Sequence, residues 1–170
     1  MGELDRARED LMTVGAPAVH RFVIDHRHYD RAGPEWSDLY ARVRGAIPNG
    51  KIAIYLLRTQ DPDEGVQPFI RDYFVETKVT GDGRSRNNDR LSATLYVGSS
   101  RKMAVRLREH LGFCSRKTYA LKLSDWYPAE ELPIELVCAT YGDETSTVVA
   151  SLEDALWEQL QPMFGRKGAR

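Results

Sequence analysis

The stretch LYVGSSRKMAVRLREHLG, residues 95–112, decides the fold. An apolar strand ends in Tyr96-Val97-Gly98, and a basic helix follows at once. Leu91 to Gly98 reads as that strand, with Leu95 and Val97 facing opposite Tyr96. From Arg101 the spacing changes: Met103, Leu107 and Leu111 recur every four residues, which predicts a helix over 101–111 with a buried stripe. Gly112 is the expected stop. Arg106 and His110 are four apart, so the helix stacks them on one flank. A phenol, a guanidinium and an imidazole then converge near one strand end. Such a set can move a proton and hold negative charge on a phosphate diester.

Working outward, Lys51 to Arg58 reads as a buried strand, with Ile52, Ile54 and Leu56 on one side and Ala53, Tyr55 and Leu57 on the other. Residues 59–67 are acidic, with Pro62 and Gly65, and read as a loop. Phe69 to Thr80 mixes aromatic and β-branched residues, which predicts an extra strand. The glycine-rich, polar run from Thr80 to Asp89 predicts a mobile tip. Downstream, Lys117 to Asp125 reads as a helix, Pro133 to Thr140 as a strand and Thr145 to Leu160 as a long helix. On that last helix Val149, Leu152, Leu156 and Leu160 are expected to face inward, with Glu153 on the flank. Upstream, residues 1–50 read as a helical extension packed on the core. A short helix is expected there from Leu4 to Met12. A clearer one follows Pro34, with Trp36, Leu39, Tyr40, Val43 and Ile47 as its stripe and Pro48-Asn49-Gly50 as its stop.

These elements in this order resemble the GIY-YIG nuclease family. Tyr96-Val97-Gly98 is similar to its second motif, with Arg106 ten residues and His110 fourteen residues after the tyrosine. Ala53-Ile54-Tyr55 stands for the first motif. Glu153-Asp154-Ala155-Leu156, followed by Pro162-Met163-Phe164-Gly165, resembles the late helix that carries a metal-binding glutamate. The spacing to Pro162 selects Glu153 over Asp154 and Glu158. The resemblance covers residues 51 to 166, with three departures. Ala53 replaces a glycine, Gly165 replaces a supporting asparagine, and 41 positions separate the two motif tyrosines, so an insertion lies at about 59–90.

The resemblance implies an α/β (α+β) fold: a small central β-sheet of three or more strands flanked by helices, over residues 51–170. It implies a metal-dependent endonuclease that hydrolyses DNA phosphodiester bonds. Tyr55, Tyr96, Arg106, His110 and Glu153 would be catalytic, with Glu153 holding Mg²⁺ or Mn²⁺. Tyr96 is the first choice of general base, Tyr55 supports it, and His110 as the base stays open. A non-catalytic nucleic-acid-binding module on the same fold is the alternative.

Charge fits a nucleic-acid partner locally. Net charge is −1 over 170 residues. Between Arg101 and Asp125, however, seven Lys and Arg face only Glu109 and Asp125. Arg101, Lys102, Arg108, Arg116 and Lys117 are the expected phosphate contacts, and the insertion, with Arg84, Arg86 and Arg90, is expected to read a groove or a junction. Cys114 and Cys138 lack the spacing of a disulfide framework or zinc knuckle. Asp25-His26-Arg27-His28 sets cations beside its histidines, against a zinc site. No apolar run is long enough to span a bilayer, and the charged start MGELDRARED does not read as a signal segment. A cytoplasmic protein is expected. One site per monomer implies nicking; cutting both strands calls for a homodimer.

Overall fold

The computed structural model describes residues 17–60, 65–128, 132–142 and 146–168. Their strands are β1 (Ala18–Ile24), β2 (Ala53–Thr59), β3 (Thr94–Ser100) and β4 (Ile134–Thr140). Their α-helices are α1 (Pro34–Ala46), α2 (Val66–Glu76), α3 (Met103–Leu111) and α4 (Ser146–Leu160). The strands form one antiparallel sheet in the order β1-β4-β2-β3. The mixed α/β class is as expected, with four strands in the sheet.

Strand alternation sorts the side chains into two layers. Tyr55 pairs with Gly98 and Cys138, and Leu57 with Tyr96 and Leu136, so these share a face. That face belongs to the main core, with Leu39 and Val43 of α1 and Leu107 and Leu111 of α3, all fully buried. Ile54 pairs with Ser99 and Leu56 with Val97, facing the other way. There α4 covers the sheet, and Leu152 and Leu156 share a cavity of about 250 Å³ with Ile54, Leu56, Val137 and Ala139. Only Val148, Val149, Ala150 and Glu153 of α4 are buried. The expected inward leucines are half-buried, and the glutamate lies deeper than they do.

Several expectations are corrected. The extension is not wholly helical, because Ala18–Ile24 pairs with β4 along its whole length and completes the sheet. Val19, Arg21 and Val23 are exposed while Phe22 and Ile24 are buried, the period of a one-sided strand. The helix expected over 4–12 lies outside the described residues.

The strand expected at 69–80 is instead α2. Ile70 and Phe74 are fully buried one turn apart, and Phe69 and Tyr73 stack on the outer face. Helical spacing of the buried pair outweighs the β-propensity of the segment.

The expected mobile tip is packed. Arg84 bridges to Ala120 and Asn87 to Phe164. Arg84 is 5% exposed, and its guanidinium donates to Thr77 Oγ1 at 2.9 Å and pairs with Asp82. It is a structural cation, not a groove reader, whereas Arg86 is exposed. The helix expected at 117–125 shrinks to a single turn, Leu123–Asp125, because its backbone is drawn into partnership with the 83–85 segment. No helix among the described residues is long and apolar enough to cross a membrane.

Candidate active site

Tyr55 and Tyr96 stand on adjacent strands, two registers apart on the same face, with near-parallel rings 6.0 Å apart. Gly98 lies between them. A Cβ there would come 2.9 Å from the Tyr96 ring and 3.0 Å from the Tyr55 hydroxyl. The glycine of the Tyr-Val-Gly motif is therefore a space requirement: it lets two phenols lie over one strand.

Helix α3 brings the other two groups. It begins two residues after β3 and ends at Gly112, whose φ of 103° allows the left-handed turn that closes it. The buried stripe of α3 carries His110 into the core at 0% exposure, while Arg106 stays at the flank. His110 Nδ1 accepts the backbone N–H of Leu121 at 3.2 Å. A backbone amide only donates, so Nδ1 holds a lone pair and the imidazole proton sits on Nε2. That Nε2–H donates to the Tyr55 hydroxyl at 2.7 Å. Arg106 Nε–H donates to the same oxygen at 3.1 Å. Both lone pairs of the Tyr55 oxygen are thereby occupied, and its own O–H must point elsewhere. Tyr96 receives a single longer contact, 3.3 Å from Arg106 Nη2.

Burial raises the Tyr55 pKa well above its ordinary value, and Tyr96 beside it adds to the effect while the Arg106 cation opposes it. Tyr96 is also raised, chiefly by burial. His110 is pushed well below its ordinary value, first by burial and then by Arg106, so it is neutral.

This neutral state has a consequence for stability. On unfolding, His110 regains a pKa near 6.5 and takes up a proton below it; the folded protein does not. Stability is thus complete above about pH 6.5 and falls as the pH drops below it. Melting points measured through that range should decline on acidification, and His110→Asn should flatten the decline. Asp25, held at about 2 by Arg27, acts only in a separate, more acid window. An unchanged slope in His110→Asn would refute the assignment.

Glu153 arrives from the other layer. It is 2% exposed, and its Oε2 accepts from Ser99 Oγ at 2.5 Å. Its charge raises the pKa of both Tyr55 and Tyr96, so it lies within electrostatic reach of each. Burial singles it out from Glu158, which is exposed. Glu153 and Ser99 are hard oxygen donors, the type Mg²⁺ or Mn²⁺ takes, and one carboxylate with water and phosphate is a usual Mg²⁺ set. The donor chemistry fits such an ion. Among the described residues there is no group of three or more His, Cys, Asp and Glu suited to a metal. His28 is used otherwise: its Nδ1 accepts the Asp25 backbone N–H at 3.1 Å and caps a short turn.

Tyr55, Tyr96, Gly98, Ser99 and Arg106 line a pocket of about 670 Å³. Thr118, Tyr119 and the segment 166–168 complete it. Of the expected phosphate contacts, Arg101 and Lys102 are exposed just past the pocket strand, and Arg116 and Lys117 are exposed just before Thr118. Arg108 does not belong with them. It is half-buried and two residues from Arg106, hence on the far side of α3.

Sequence reasoning missed Ser99 and Tyr119 as site residues, whereas Arg166, beside Gly165, is within reach of the site as its place in the sequence suggests. Ser99 follows the Tyr-Val-Gly motif directly, and alternation alone sends it to the glutamate's layer. Tyr119 serves through its carbonyl, which accepts Arg106 Nη1 at 2.9 Å, and a backbone role leaves no side-chain signal. Gly165 has a positive function. Its φ is 99°, and a Cβ there would meet the Tyr96 ring at 2.8 Å. The chain matches no family model, no curated protein and no solved structure.

Proposed function

We propose that the protein is a metal-dependent endonuclease that hydrolyses DNA phosphodiester bonds at the pocket lined by Tyr55, Tyr96 and Arg106, with Glu153 behind its Ser99 wall. The observation that carries this reading is the Tyr55 hydroxyl, which faces a pocket while accepting from both His110 and Arg106. Two N–H donors on one phenolic oxygen are the arrangement that stabilises a phenolate. Once Tyr55 has lost its proton to solvent, the remaining lone pair is left to take a proton from water.

In this mechanism Tyr55, rather than Tyr96, is the general base. Water attacks phosphorus as its proton passes to the Tyr55 oxygen. A P–O bond forms and the bond to the 3′-oxygen breaks; the leaving oxygen takes a proton from solvent, giving a 5′-phosphate and a 3′-hydroxyl, and Tyr55 returns its proton to solvent. His110 holds its Nε2–H on the phenol throughout. It does not act as the base, because the Leu121 amide occupies Nδ1. Tyr96 stacks on Tyr55 and fixes its plane. Mg²⁺ or Mn²⁺ held by Glu153 would neutralise charge on the phosphate and on the leaving oxygen.

The test is incubation of supercoiled plasmid with the protein and Mg²⁺, beside Glu153→Ala and an EDTA control. Wild type should nick, and Glu153→Ala should lose the activity while retaining DNA. Equal nicking by Glu153→Ala would remove the glutamate from the mechanism. Absence of nicking by wild type, with salt-sensitive DNA retention intact, would favour the non-catalytic binding module.

A further inference from the structure

Arg106 is too committed to act as the main grip on a phosphate. A guanidinium has five N–H donors. In Arg106 the Nε–H goes to Tyr55 and one Nη2–H to Tyr96. Both Nη1–H groups are used, by Glu109 at 2.7 Å and the Tyr119 carbonyl at 2.9 Å. One donor remains, on Nη2. The bidentate fork that makes arginine a phosphate ligand needs two parallel donors. A substrate phosphate could take that fork only by breaking the contacts that hold both phenols.

A second arginine lines the same pocket with its fork uncommitted. Arg166 is exposed, rests over the Tyr119 ring at 4.6 Å, and pairs with no carboxylate among the described residues. Its neighbour Lys167 is occupied by Glu158. The backbone before Arg166 is fixed to the strand that bears Tyr96. Met163 and Phe164 donate to the Thr94 and Leu95 carbonyls at 2.9 Å each, and Gly165 donates to Arg86 at 2.8 Å. Arg166 is thus a charged side chain on a fixed base beside the phenols, resting on an aromatic face that it can leave at small cost.

We propose that Arg166 is the residue that binds the nucleic-acid phosphate, and that Arg106 is a positioning residue that orders and polarises Tyr55. This rests on the nuclease reading, so its test separates binding from cutting. Binding of a short fluorescein-labelled DNA duplex is followed by anisotropy in EDTA across a salt series, and nicking is assayed separately with Mg²⁺. Arg166→Ala should bind about tenfold more weakly, with a salt slope smaller by about 1. Arg166→Lys should recover the slope but only part of the affinity, because charge returns without the fork. Arg106→Lys should bind within about twofold of wild type, yet nick slowly, with its alkaline rise displaced to higher pH.

Wild-type binding and salt slope in Arg166→Ala, in a protein that nicks, would overturn the proposal and leave the nuclease standing. Loss of affinity in Arg106→Lys with none in Arg166→Ala would reverse the two roles. Failure of the wild type to bind or nick any DNA would overturn both readings together.

Discussion

Tyr55→Phe is expected to reduce plasmid nicking by about a thousandfold while leaving DNA binding intact, the scale of a lost general base. The fold should survive. Phenylalanine fills the same space between Tyr96 and His110, and the cost is two donors, His110 Nε2–H and Arg106 Nε–H, left without their shared acceptor. That costs about 1–3 kcal/mol, visible as a lower melting point. The pH profile carries the sharper test. Burial holds the Tyr55 phenol above its ordinary value of 10.0, so the phenolate is the minor form at neutral pH. Its fraction rises about tenfold per pH unit below the pKa, and the wild-type rate should climb with it. Tyr96→Phe should keep this rise and lose only part of the rate. If Tyr96→Phe abolished the rise and Tyr55→Phe kept it, the base would be Tyr96.

Gly165→Asn is expected to damage the site, although the family resemblance places an asparagine at that position. The backbone there has φ 99°, which L side chains rarely adopt, and the new Cβ would lie 2.8 Å from the Tyr96 ring. Strain of this kind costs about 1–3 kcal/mol, and overpacking a comparable amount. The ring must yield, and Tyr96 is packed edge-on against His110 at 4.5 Å and stacked on Tyr55. A lower melting point together with at least a tenfold loss of nicking is therefore expected. Gly165→Ala should show most of the same loss, since the clash begins at Cβ. Full activity in Gly165→Asn would mean that the segment relocates freely.

The strand–helix junction around Gly98 was legible because a short apolar run ends there and a period of four begins at Met103. The convergence of Arg106 and His110 followed from helix geometry alone. The insertion was misread for a physical reason. Phe69, Tyr73, Val75 and Val79 have strand propensity, but all are exposed, and the pair that decides the structure is Ile70 and Phe74. Glycine-rich polar composition at 80–89 likewise suggested mobility, whereas buried Arg84 and the 83–87 backbone bond to segments more than thirty residues away. Strand β1 was hidden because its pairing partner lies over a hundred residues downstream. Nothing local in AVHRFVI records that β4 needs a neighbour. Glu153 was found by spacing to Pro162; its depth came from Ser99 on another strand.

The segment after α4 gives the pocket a place in time as well as in space. Tyr55 and Tyr96 are synthesised early, yet Gly165 and Arg166, which cover and line their pocket, emerge from the ribosome some seventy residues after Tyr96. The pocket cannot close until these last residues have been made, whereas every strand of the sheet is already present by Thr140. A nascent chain can pair all four strands and dock α3 while the pocket is still open along β3, so the sheet is assembled before its pocket is closed.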